Sequence, residues 1–115
     1  MPEQTRLTER LRADLTAALR RRDRPAVSTL RSVLATIANA EAVPVEDVRV
    51  TGEGPVAGAV SGLGAAEAPR RDLSEDDVRA LVAGDRDELL AAAAVVPPER
   101  ADELRAAADL LAAYL

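Results

Sequence analysis

The chain has 115 residues and a net charge of −5, the make-up of a single domain. It contains no cysteine and no histidine, and all fifteen of its basic residues are arginine. That excludes disulfides, thiol nucleophiles, histidine bases, lysine Schiff bases and phosphate-binding P-loop lysines. The one aromatic residue is Tyr114, so the core must be aliphatic. No apolar run reaches the length of a membrane span, and the N-terminus lacks a charged-then-apolar leader pattern. The expectation is a cytoplasmic protein with no membrane partner.

Residues 5–41 read as two antiparallel helices joined by a tight turn. The first carries Leu7, Leu11, Leu15 and Leu19 at i, i+4 spacing, widened by Ala18. The second carries Val27, Leu30, Val33, Leu34 and Ile37 on one face. Between them lies Arg20-Arg21-Arg22-Asp23-Arg24-Pro25. Arg20–Arg22 fall in the last turn of the first helix, where positive charge suits the dipole. Asp23 is placed to cap the second helix, and Pro25 falls in its first turn, where a missing N–H costs little.

Residues 43–73 break the helical pattern. Pro44, Pro55 and Pro69 punctuate them, and five of the six glycines lie here. Val48-Arg49-Val50-Thr51 alternates as a short extended piece would. Gly52-Glu53-Gly54-Pro55-Val56-Ala57-Gly58 fits neither the dinucleotide fingerprint nor the P-loop spacing. The expectation is a long Gly/Pro-rich loop, mobile over 52–64.

A third helix starts at Ser74, the expected N-cap. Glu75, Asp76 and Asp77 lie in its first turn, and Leu73 with Val78 matches a hydrophobic staple. Val78, Leu81, Val82 and Leu89 continue the face, and Gly84 marks a weak point. Pro97-Pro98 ends the element. A fourth helix carries Leu104, Ala108, Leu111 and Leu115. The fold class expected is all-α: a helical hairpin plus two further helices packed as a small array in one domain, 1–115. Helices are expected near 4–22, 24–42, 74–95 and 98–114. The core is expected to contain Leu7, Leu11, Leu15, Leu30, Leu34, Ile37, Val78, Leu81, Leu104 and Leu111.

Three motifs stand in order along the chain. They are Leu7-Thr8-Glu9-Arg10-Leu11 with Ser28-Thr29-Leu30-Arg31 and Ile37-Ala38-Asn39-Ala40-Glu41; Leu73-Ser74-Glu75-Asp76-Asp77-Val78; and Leu110-Leu111-Ala112-Ala113-Tyr114-Leu115. Together they resemble the YqeY-like (GatB/YqeY domain) family over most of 5–41 and 73–115. The resemblance implies an all-helical fold. It also implies a link to glutamine-dependent, tRNA-dependent amidotransferases, a carbon–nitrogen ligase activity with glutamine as amido donor. The chain ends at Tyr114-Leu115, where longer members of that family continue into a three-helix tail domain that contacts tRNA. It thus resembles a short form. Its third helix is acidic where the family's is basic, and the 43–73 loop resembles an insertion.

The candidate chemistry is sparse. Glu75, Asp76, Asp77, Asp85, Asp87 and Glu88 admit a Mg²⁺ reading, but Asp77 and Asp85 lie about two helical turns apart. Capping and a solvated face account for most of these acids. Ser28 and Thr29 lack any histidine or lysine to activate them. No catalytic residue, cofactor or metal ligand is assigned. The densest basic cluster is Arg20, Arg21, Arg22 and Arg24, suited to bidentate phosphate contact but with no aromatic platform for bases. Arg10 and Arg31 join it only if their helix faces agree, and Arg70 and Arg71 are the next candidates. Residues 1–40 hold eight arginines against four acids, and the remainder seven against sixteen, so a basic hairpin carries an acidic remainder. Three readings follow, of which the third, an enzyme, has the absence of histidine, cysteine and lysine against it. The first is a non-catalytic binding or accessory module touching tRNA or an amidotransferase-like protein through the four arginines. The second is a protein–protein adaptor with no nucleic-acid role.

Overall fold

The computed structural model describes residues 5–42 and 71–115, which form four helices and no strand. These are α1 (Arg6–Arg21), α2 (Arg24–Glu41), α3 (Glu75–Ala93) and α4 (Pro98–Ala112), each end within two residues of the expected one. The extended piece at 48–51, the glycine run at 52–58, the mobile loop at 52–64 and Arg70 lie outside the described residues.

Three of the four helices start where the sequence supplies a side-chain acceptor, whereas α4 starts after Pro97 with no side-chain cap. Thr5 caps α1, its hydroxyl oxygen accepting the Thr8 N–H at 3.0 Å and its O–H donating to the Thr8 hydroxyl at 2.8 Å. Asp23 caps α2 by accepting the Ala26 N–H at 3.2 Å. Ser74 and Asp77 form a reciprocal capping box, each side chain accepting the other's backbone N–H at 3.0 Å. The bond from the Ser74 backbone, with that from its side chain, holds the Asp77 carboxyl below its ordinary value. Helix α3 runs through Gly84 without a break. Val78 and Val82 on one side and Ala93 on the other stay buried, and tertiary packing of this kind outweighs a local propensity loss of about 1 kcal/mol.

The architecture is two helical hairpins, α1–α2 and α3–α4, joined where α1 and α2 meet α3 and where α2 meets α4. Leu7, Leu11, Leu30, Ile37, Val78 and Leu111 are buried as expected. Leu15, Leu34, Leu81 and Leu104 are only half-buried. Small residues are buried beside the turns. Ala18 and Ala26 flank the first inter-helix turn, and Ala93 and Ala101 flank the second. A short turn brings two helix axes close together, and a leucine there would hold them apart. Val33, Val82, Ala108 and the paired Thr8 complete the buried set with Tyr114.

One end of the bundle, the base, is closed by polar contacts. The Glu75 carboxylate accepts the N–H groups of Arg6 at 3.1 Å and Leu7 at 3.0 Å, so α3 begins by capping α1. The Glu41 carbonyl accepts the Arg71 N–H at 2.8 Å, bringing the end of α2 to the approach of α3. From this base α1 rises about 24 Å to its turn.

Candidate functional site

The first inter-helix turn stands at the far end, the tip. Arg20, Arg21, Arg22 and Arg24 are all exposed there. Arg21 reaches Asp23 at 3.3 Å. Among the described residues, Arg20, Arg22, Arg24 and Arg31 make no ion pair. In the acidic hairpin, by contrast, Arg79, Arg86, Arg100 and Arg105 each pair with an acid on the same helix.

Arg22, Arg24 and Arg31 line one open groove of about 800 Å³ with Leu19, Val27, Ser28 and Ser32. Arg31 follows Arg24 by seven residues, two turns along the same face of α2. The structure thereby settles the two arginines whose faces the sequence left open. Arg31 joins the tip, and Arg10 does not, because its guanidinium lies 4.8 Å from the centre of the Tyr114 ring. Arg71 belongs to the base.

Two features of the tip run against local preference. Arg22 adopts a left-handed conformation at φ 61°, ψ 38°, the one non-glycine residue with positive φ among those described. Its N–H closes α1 onto the Ala18 and Leu19 carbonyls, a place that glycine usually fills because a side chain there costs about 1–2 kcal/mol. Arg24 occupies the first position of α2, whose first turn contains no acid, so positive charge sits at the positive end of the helix dipole. Leu19 is a third departure. It belongs to the first helix's leucine stripe, yet it is 46% exposed and forms part of the groove floor.

A second groove, about 880 Å³, lies between the hairpins. Thr29, Ser32 and Thr36 of α2 face Asp85 and Glu88 of α3 across Leu89, Leu104 and Leu110. Thr36 donates to Asp85 at 2.9 Å, and Arg100 holds Glu103 at 2.8 Å. Ser28 lines both grooves and Thr29 only the second, and neither has a histidine or lysine to activate it.

The acids of α3 are spread over separate tasks. Glu75 caps α1, Asp76 pairs with Arg79, Asp77 completes its own cap, Asp85 accepts from Thr36 and Asp87 pairs with Arg86. At the chain's end the Tyr114 hydroxyl donates to Asp14 beneath Arg10. Burial, then the bond to Asp14, pushes the Tyr114 phenol well above its ordinary value near 10. Sequence periodicity carried no sign of this contact, which joins residues a hundred positions apart.

No protein-family model, curated protein or solved structure matches the chain.

Proposed function

We propose that the protein is a non-catalytic binding module of the YqeY type, an accessory to tRNA-dependent amidation, and that it meets an anionic partner with the arginine tip. The observation that carries this reading is the exposure of Arg20, Arg22, Arg24 and Arg31 without ion pairs among the described residues, in a chain whose net charge is −5. The three ordered helical motifs supply the direction, toward tRNA or an amidotransferase-like protein. Unpaired arginines are poised for bidentate contact with phosphate or carboxylate oxygens.

The test is a filter-retention titration with tRNA at low and near-physiological salt. Retention that falls steeply with salt, and that disappears when Arg20, Arg21, Arg22 and Arg24 are all changed to Gln, supports the nucleic-acid form of the reading. Equal retention by the quadruple variant places the contact elsewhere, with Arg70 and Arg71 next.

A second reading is the protein–protein adaptor. It is favoured by Leu19 and Val27, an apolar floor among the arginines for which a phosphate chain has no use. Absence of tRNA retention at low salt selects it.

A further inference from the structure

The tip groove combines two kinds of surface that one class of ligand matches. Its floor is apolar, with Leu19 46% exposed and Val27 beside it. Its rim is cationic, with Arg22, Arg24 and Arg31 contributing guanidinium groups and no acid lining the groove. Arg24 and Arg31 lie two turns apart on one helix face, about 10.5 Å along the axis. A nucleic-acid strand would use the rim alone, and the only aromatic residue of the chain, Tyr114, is buried and unavailable to stack bases.

We propose that this groove receives an acidic amphipathic helix of a partner protein. Its apolar side chains lie on Leu19 and Val27, and its carboxylates, spaced two turns apart, meet Arg24 and Arg31. This is the helix-in-groove mode, read through anchors at i, i+3 or i+4, and i+7. Arg22, at the left-handed position of the turn, lines the same groove as a third guanidinium. The positive end of the α2 dipole adds to the same field. The departures at Arg22, Arg24 and Leu19 therefore share one explanation: each is locally unfavourable, and each presents a group to this groove. The inference rests on the reading of the tip as the contact surface and names its partner.

Fluorescence anisotropy with a labelled helical peptide tests it. The peptide carries Leu at i, i+4 and i+7 flanked by Glu, and a control has the same composition with the helical period scrambled. The expected result is saturable binding of the periodic peptide at near-physiological salt, with the scrambled control at least about tenfold weaker. Leu19→Ser should weaken the periodic peptide by roughly fivefold to tenfold, and the joint change of Arg24 and Arg31 to Gln by more. Helix content, read by circular dichroism, should stay unchanged because all three side chains are largely exposed. Equal binding of both peptides, or indifference to Leu19→Ser, overturns the amphipathic-helix proposal. If tRNA binds under these conditions while neither peptide does, the proposal fails and the module reading stands. If nothing binds, both fail. If the protein alone sediments as a dimer that Arg24→Glu dissociates, the groove's occupant is a second copy and the proposal is overturned.

Discussion

At the base, Glu75 caps the start of α1 through two N–H groups, Ser74 and Asp77 cap α3, and the Glu41 carbonyl takes the Arg71 N–H. At the tip, an arginine occupies the left-handed position that glycine favours, another occupies a helix start that favours an acid, and a leucine faces solvent. Both ends are made of the same four helices, and fold geometry does not by itself call for arginine at 22 and 24. The first turn of α3 carries three acids and that of α2 carries none, although both begin with a well-formed side-chain cap. The base is arranged for stability. The tip gives up stability for exposed charge, which is the pattern expected where a surface is kept for a partner.

The comparison is sharpest on α1 itself, where Leu11 and Leu19 lie on one stripe two turns apart. Leu11 is 0% exposed, and Leu11→Ala should cost about 2–5 kcal/mol in denaturant unfolding. Leu19→Ala should cost under about 1 kcal/mol. Equal costs would erase the distinction between the two ends.

Tyr114 is the next test. Its phenol is raised above its ordinary value, so its neutral form is the one the folded state favours. That contribution is fully present below pH 10, where the unfolded phenol is also neutral, and is lost as pH rises through the folded value. Tyrosinate absorbance has a single source in this chain and should appear only well above the ordinary range. Asp14→Asn should bring it down, and a titration at the free-tyrosine value would refute the contact.

Removing the inter-hairpin cap by Glu75→Ala should cost about 1–2 kcal/mol. Glu75→Gln should recover part of that, because its amide oxygen still accepts. No loss in either variant would mean that the base is not held by this carboxylate.

The smallest effects carry the opposite sign. Arg22→Gly should stabilise by roughly 1 kcal/mol by relieving the left-handed conformation. Arg24→Glu should stabilise by about 0.3–1 kcal/mol at low salt, fading as salt is added. Destabilisation by both would remove the case that the tip is kept at a cost.

Helix positions were legible because Asp23, Pro25, Ser74 and Pro97-Pro98 are local signals that tertiary contacts reinforce. The core was legible only in part. Periodicity identifies the face of a helix but not the height at which a neighbour crosses it, so Leu15, Leu34, Leu81 and Leu104 were expected inside and lie half-exposed. Ala18, Ala26, Ala93 and Ala101 are buried because turns draw helices together, a fact about pairs of helices and not about one. The arginine cluster was legible as composition. That Arg31 belongs to it and Arg10 does not depends on which way α1 and α2 face each other. The exposure of Leu19 comes from the drift of an i, i+4 series: at about 100° per residue Leu19 stands roughly 120° round α1 from Leu7, while Ala18 stands roughly 20° from it and is buried.

The hydrogen bond between Glu41 and Arg71 has a topological consequence. The chain departs from the bundle and rejoins it at almost one point, so the ends of the intervening stretch are already closed by the fold. Closure entropy then grows only with the logarithm of length, about 0.6 kcal/mol for each doubling. That junction is a port at which sequence can be lengthened, shortened or exchanged at little thermodynamic cost. The junction itself opens at the base, roughly a full helix length from Arg24. Severed at this port, the molecule would be two hairpins, 5–42 and 71–115, that share one apolar core, so each would find in the other the partner that buries its face.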